Sequence, residues 1–509
     1  MPFARDPADW VEQTPGSAQR VFLKSPHGRD ISYAALREQS GRIASALIQR
    51  GALPGDRIAV RVDKSAEAVL LYVACLRLGA VIVPINIANT PNEVEYFLRD
   101  SRPRVAVIRP QDLSSLGPLA SETGIALETL SANGDGSLLK VAGDSAGDFE
   151  PAGSFDPSSI AAIVYTSGTT GRSKGAMLTR ANLASNAAAL AETWRFTSGD
   201  VLLHTLPLFH IHGLFVAINT VLASGSSLFL LSNFDAAQTL AHLRDATVYM
   251  GVPTHYTRLL QQNGLDRQTT ATVRLFISGS APLLPETHRE FLRRTGHAIL
   301  ERYGMSETLV NTSNPHDGLR LPGSVGPPLK GTALRVTSAE TGTVQAVPGV
   351  IGTLQVKGPN VFGGYWRDEE KTRGEFTADG WFKTGDVGRI DRDGYVHIVG
   401  RAKDLVISGG YNVYPKEVEI ELDALAGVLE SAVFGVPHPD FGEGVTAAVV
   451  AQPGVILSEE ALIDSVKARL ARYKVPKRVL VVEELPRNAM GKVQKNALRK
   501  TFAAIYLSE

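Results

Sequence analysis

The sequence predicts an α/β protein: a large N-terminal domain of α/β subdomains plus a small β-rich subdomain, followed by a small α/β C-terminal domain. Three observations carry this reading. Apolar runs of strand length alternate with stretches of helical spacing over most of the chain, the pattern of parallel sheets covered by helices. At 509 residues the chain is too long for one hydrophobic core. Its texture changes after about residue 335 to short, turn-rich β pieces, then returns to helix–strand alternation from Lys416 to the end.

Taken in order, Ser32 is placed to cap a helix whose apolar residues Leu36, Ile43, Ala44, Leu47 and Ile48 recur at helical spacing, and Gly51 ends it. Residues 57–62 alternate as a strand and 66–78 read as a helix. Two short β-rich runs, 81–85 and 105–108, flank a helix near 92–100. Further strands are expected at 201–203, 227–231, 248–250 and 273–277. Residues 131–159, rich in Gly, Ser, Asp and Pro, read as a surface excursion before a buried strand at 160–164. The pieces 353–356 and 394–399 predict the small β-rich subdomain. A boundary is expected in Gly400-Arg401-Ala402-Lys403-Asp404, which gives an N-terminal domain 1–399, a hinge 400–404 and a C-terminal domain 405–509.

Composition narrows the function. Hydrophobic residues at 44% and charged residues at 20% are ordinary for a globular protein. Lys+Arg and Asp+Glu are equal at 52 each, so no overall field favours nucleic acid or an anionic membrane. The single cysteine, Cys75, sits in an apolar run and reads as a core thiol. The first residues lack an apolar signal core, and no uncharged apolar run reaches the roughly 18–20 residues of a spanning helix. A cytoplasmic protein is expected.

The most informative stretch is Tyr165-Thr166-Ser167-Gly168-Thr169-Thr170-Gly171-Arg172-Ser173-Lys174-Gly175. Glycines let backbone amides approach an anion, hydroxyls add donors and lysine adds charge, which together suit a polyphosphate. The Walker A pattern does not fit. Counted from Gly168, Ser173 stands where its second glycine belongs and Gly175 where its magnesium-binding hydroxyl belongs. A phosphate loop in a different fold is predicted.

Five other stretches accompany it. Ser278-Gly279-Ser280-Ala281 follows a buried strand, where α/β sheets gather ligands. Glu301-Arg302-Tyr303-Gly304-Met305-Ser306-Glu307-Thr308 joins an aromatic ring, a glycine and a carboxylate. Lys383-Thr384-Gly385-Asp386 offers a carboxylate after a tight turn. Arg401 and Lys403 lie at the expected boundary, and Gly491-Lys492 ends a turn near the C-terminus. Singly, each reads equally as a β-turn or a solvated charge. Jointly and in this order they resemble the adenylate-forming superfamily of acyl-CoA synthetases, luciferases and carrier-loading adenylation domains. Pro207-Leu208-Phe209-His210-Ile211-His212-Gly213-Leu214, Gly251-Val252-Pro253-Thr254, Arg302–Thr308 and Gly409-Gly410-Tyr411-Asn412-Val413-Tyr414-Pro415 look like bacterial malonyl-CoA synthetases.

The resemblance implies the adenylate-forming fold with a mobile C-terminal domain, ATP and CoA as co-substrates, Mg²⁺, and two half-reactions through an acyl-adenylate. It implies that Thr166, Ser167, Gly168, Thr169, Thr170, Gly171 and Lys174 cradle the β- and γ-phosphates and that Glu307 holds Mg²⁺. Ser280, Ala281, Glu301, Arg302, Tyr303, Gly304, Met305 and Ser306 would form the adenine side, with Thr308 on the α-phosphate. Asp386 and Arg401 would take the ribose, and Lys492 would serve the adenylation step. Lys403 matches the hinge, and Gly409, Gly410 and Tyr411 match the pantetheine tunnel. For the acid, Arg258 matches the arginine that binds malonate's second carboxylate, with Ser278 and Met305 lining the pocket and His210 at its gate. On a helix with Tyr256, Leu259 and Leu260 inward, Arg258 falls on the opposite side, as a solvent arginine would. His210 and His212 read equally as core histidines. Alternatives are a ligase for methylmalonate, a medium-chain or an aromatic acid, a carrier-loading enzyme, and a non-catalytic nucleotide sensor.

Overall fold

The computed structural model describes all residues except 1–4, 13–17, 27–29, 146–148, 152–154, 167–172, 339–340, 346, 489–490 and 507–509. The chain groups into two units. One comprises Met1–Pro322, Gly326–Ala333 and Lys357–Phe382; the other comprises Gly323–Val325, Leu334–Val356 and Lys383–Glu509.

The first unit holds two mainly parallel sheets. In one, the order runs Ala126–Thr129, Val105–Ile108, Arg57–Arg61, Val81–Pro84, Ile160–Thr166 and Lys174–Thr179. All its neighbours are parallel except the last pair. In the other, Leu300–Met305, Leu275–Ser278, Val248–Gly251, Val201–His204, Ser227–Leu230 and Val21–Lys24 are parallel neighbours, with an antiparallel strand at each edge. Strands buried on both faces are near-continuous apolar runs, as Val81–Pro84, Val105–Ile108, Val248–Gly251 and Leu275–Ser278 are. Helices begin where side chains satisfy the first free amides. Ser32 accepts from Ala35 N–H, Ser65 from Ala68 N–H, and Thr90 with Glu93 forms a capping box. Gly79, at φ 75°, closes the helix Ala66–Leu78, which buries Cys75. The excursion 131–159 is less irregular than its composition suggests. Ser137–Gly143 is a helix that buries Leu138 and Ala142, too short for its periodicity to show in the sequence.

The second unit carries the β-rich sheet Ala333–Thr337, Gly352–Lys357, Phe382–Ile390 and Val396–Arg401, then a five-stranded sheet flanked by Pro415–Asp423, Glu459–Lys467 and Lys495–Thr501. Because Phe382–Ile390 pairs with Val396–Arg401, residues 383–399 group with the C-terminal residues, whereas the sequence suggested a boundary at Gly400. Among the described residues no helix is long and apolar enough to cross a membrane.

Candidate active site

The phosphate loop joins two antiparallel strands. Tyr165 faces Gly175 and Thr166 faces Lys174 in register, so the stretch between Thr166 and Lys174 connects two antiparallel strands and the element after it is a strand, not a helix. That explains the failure of the Walker pattern, which belongs to a strand–loop–helix unit. Ser167, Gly168, Thr169, Thr170 and Gly171 lie outside the described residues. Both feet of the loop are tied to the helix Pro91–Ser101: Tyr165 donates its hydroxyl to Asp100 at 2.5 Å, and Tyr96 donates to the Ser173 carbonyl at 2.9 Å. Phe97 stacks on Tyr165 with ring centroids 4.5 Å apart.

Lys174 is half-buried, 3.5 Å from Asp368 and with its ammonium 5.8 Å from the centre of the Tyr365 ring. Tyr365 in turn donates its hydroxyl to Glu307 at 3.1 Å. The segment carrying Tyr365 adds to the hairpin edge through Trp366 N–H to Gly175 O at 2.7 Å, and a Cβ at Gly175 would press on Ile163 at 2.6 Å. Lysine, tyrosine and glutamate therefore line up from the loop to the buried carboxylate. Sequence reading missed Tyr365 and Asp368. Gly363-Gly364-Tyr365-Trp366 marks a turn with aromatic residues, but nothing in one sequence brings it beside residue 174.

Glu307 and Thr308 occupy the connection between the antiparallel strands Leu300–Met305 and Leu309–Ser313. The turn is tight. A Cβ on Gly304 would lie 1.7 Å from the Leu309 carbonyl, and Leu309 itself sits at φ 55°. Ser280 has φ 72°, a second non-glycine residue in the left-handed region. Such backbone strain concentrates at functional sites. The Thr308 hydroxyl is fully buried and has no hydrogen-bond partner among the described residues. Ala281, Tyr303, Gly304, Met305 and Ser306 are half-buried, and Glu301 is buried.

Beside this turn lies a basic, carboxylate-poor interior. Arg302 is buried, its side chain lying against Gly279 so closely that a Cβ there would be 2.4 Å from Nε. Among the described residues its Nε and Nη2 have no acceptor, and burial pulls it down to about 10, still cationic at neutral pH. Ser278 is buried with an unpartnered hydroxyl. His212 bonds Ser280 Oγ through Nδ1 at 3.2 Å and leaves Nε2 unpartnered. It opens a π-helical stretch, His212–Ala217, a rare form that recurs at functional sites. His210, half-buried, accepts the His212 N–H at 3.2 Å, and burial with the nearby Arg302 charge pushes it down to about 4. Arg258 is exposed on the helix Pro253–Leu260, which buries Tyr256 and Leu259, and its charge reaches His255 on the same helix.

In the second unit, Asp386 and Arg401 are partners across neighbouring strands, with Arg401 Nε 2.8 Å from the buried carboxylate. Gly385, at φ 70°, makes the turn, and Arg401 also donates to the Thr384 carbonyl at 3.3 Å. Lys492 is held by Asn488, whose side chain accepts its N–H at 3.0 Å. Loss of hydration lowers its ammonium pKa first and Arg401 lowers it further, with Asp386 and Asp404 opposing. Asp386, Arg401 and Lys492 are thus one electrostatic cluster. Lys403 is exposed in a short 3₁₀ turn, Ala402–Asp404. Gly409 and Gly410 have φ 58° and 81°, as a bare backbone turn requires, and exposed Tyr411 stacks on Tyr473 at 4.7 Å.

The AMP-binding enzyme family matches residues 8–366, and the AMP-binding enzyme C-terminal domain matches 417–492. The chain is 37% identical to the mitochondrial malonate–CoA ligase of Mus musculus, over 88% of this chain and 82% of that one. It is 34% identical to malonate–CoA ligase of Arabidopsis thaliana, over 96% and 87%. The crystal structure of ATP-bound MatB from Rhodopseudomonas palustris is 51% identical with a TM-score of 0.96, covering 98% of this chain and 99% of that one. The chain belongs to the AMP-binding, adenylate-forming enzymes and is an acid–thiol ligase homologous to the malonate–CoA ligases.

Proposed function

We propose that this chain ligates malonate to CoA, first forming malonyl-adenylate and pyrophosphate from ATP and then exchanging AMP for the CoA thiol. The observation that supports malonate is Arg302. Two buried N–H groups without an acceptor among the described residues, next to Gly279 and the Ser278 hydroxyl, and with no ion-pair partner among those residues, suit a ligand that brings its own second carboxylate. Arg302 stood on the adenine side of the sequence reading; its burial favours the acid. Arg258, at the surface of its helix, would serve as a rim charge, with His210 and Met305 completing the pocket.

The chemistry asks a carboxylate to attack an anionic phosphorus. Lys492 would meet both negative groups in the transition state, an electrostatic role, and the free Thr308 hydroxyl would donate to the α-phosphate. Lys174 with Thr166 and the loop would hold the β- and γ-phosphates. Asp386 and Arg401 would take the ribose, and Ser280, Ala281 and the Glu301–Tyr303 strand would take adenine. One buried carboxylate, Glu307, fits Mg²⁺, which usually keeps waters and substrate phosphates as its other ligands. When bound it would neutralise charge as pyrophosphate leaves. For the second half-reaction, the C-terminal residues would turn about Lys403 and present Gly409-Gly410-Tyr411 to the pantetheine arm. A cytoplasmic location accompanies this reading, to be checked by cell fractionation.

Acid-dependent exchange of pyrophosphate into ATP tests the substrate. Malonate is expected to support it best, with methylmalonate second because the same donors serve both. Exchange with octanoate or 4-coumarate but not malonate overturns the reading, and failure of free CoA as acceptor would point to carrier loading.

A further inference from the structure

The loop after the strand Arg57–Arg61 brings a further cation to the region of the histidines. Lys64 donates from Nζ to the carbonyl of His204, at 2.9 Å. His204 ends the strand Val201–His204, and the same carbonyl receives the Leu231 N–H at 3.1 Å. The His204 ring bonds the Gly213 carbonyl at 2.8 Å through Nε2 and leaves a buried Nδ1 unpartnered. Gly213 is the residue after His212, and it is glycine because a Cβ would lie 2.2 Å from the Pro207 carbonyl. Lys64 thus braces the strand end that leads directly into the segment carrying His210 and His212.

Its surroundings are as short of negative charge as those of Arg302. Dehydration holds the Lys64 ammonium well below the ordinary lysine range, and no acidic side chain counters it. Its charge is felt at His204 and at His255, both pushed down to about 3 chiefly by burial. His255 is pinned between a ring stack on Phe234, centroids 3.8 Å apart, and a hydrogen bond to Tyr249 Oη at 3.0 Å. Arg258 acts on the same ring from its own helix. Two cations from distant parts of the sequence therefore converge on one histidine, and among the described residues neither forms an ion pair. Lys64 is half-buried, and an ammonium withdrawn from water without a counter-ion is costly unless an anion joins it. One carbonyl uses one of its three donors.

We propose that Lys64 is a specificity-determining residue whose ammonium favours acids that carry a second negative charge. This rests on the reading of the substrate as a short dicarboxylate. Malonate binding would supply the missing counter-ion; a monocarboxylic acid such as propionate would not.

The test compares the intact enzyme with Lys64→Met and Lys64→Arg in pyrophosphate exchange with malonate and with propionate, alongside thermal melts with and without malonate. In Lys64→Met the malonate-to-propionate preference should fall about ten-fold, the size of one charge-assisted hydrogen bond. Malonate should also raise its melting temperature less than it raises that of the parent. Lys64→Arg, which keeps the charge, should retain most of the preference. An equal loss for both acids, a rise confined to the ATP or CoA requirement, or an unchanged preference would overturn the inference. If the parent enzyme itself shows no malonate-dependent exchange, the substrate reading fails instead, and the two failures are distinguishable. Should Lys64→Met not fold, the preference and malonate-dependent melt of Lys64→Arg decide: loss of both despite a retained charge overturns the role assigned to the cation.

Discussion

At the scale of single residues, the proposed chemistry rests on side chains left without a partner among the described residues. Arg302 is the clearest. Replacing it with glutamine should raise the malonate requirement by about 10- to 100-fold, the range of one or two hydrogen bonds to a charged group, while the ATP requirement moves little. Equal effects on both substrates would return Arg302 to the nucleotide. Under the role proposed for it, Lys492→Ala should lose adenylate formation yet still convert supplied malonyl-adenylate with CoA; normal exchange by this variant would refute the role. At this scale the sequence singles out candidates where a motif is contiguous, as at Glu307, Thr308, Asp386 and Lys492. The position of the Arg302 guanidinium against Gly279 and the contact of Tyr365 with Glu307 arise only through the fold and could not be read from one sequence.

Elements explain how those residues are held. The helix Pro91–Ser101 secures both ends of the phosphate hairpin through Asp100 and Tyr96, so Asp100→Ala should raise the ATP requirement without slowing thioester formation from supplied adenylate. The strand turn at Gly304 has no room for a methyl group beside the Leu309 carbonyl. Gly304→Ala should therefore destabilise by about 1–3 kcal/mol or more and shift Glu307 and Thr308, seen as a lower melting temperature together with weaker exchange. Helix 66–78 and the strands at 57–61, 201–204 and 248–251 could be read from period and caps. The hairpin could not, because Lys174–Thr179 carries glycine, lysine and threonine beside its apolar residues and becomes a strand by pairing.

For the whole molecule, the histidines set the response to acid. His204, His210, His255 and His288 are held neutral by burial, at about 3, 4, 3 and 4. Above the unfolded value near 6.5 they are neutral in both states. Below it the unfolded chain takes up protons that the folded chain refuses, so stability falls as pH drops from about 6.5 toward 4, by up to about 1.4 kcal/mol per pH unit for each. Asp423, raised to about 6 by burial, works the other way over the same range and offsets one of them. Melting temperatures should drop steeply between pH 6.5 and 4.5; a flat profile would contradict the burial of these rings. The fold class was legible from the alternation of strands and helices, whereas the grouping of 383–399 was not, since strand pairing is a long-range fact. One feature reaches beyond stability. The proposed phosphate site joins two antiparallel strands at Thr166 and Lys174, so no helix macrodipole would stand directly behind it. Under that proposal the charge facing pyrophosphate would come from Lys174 and from Mg²⁺ when bound, and product release would be set by how readily those charges are given up.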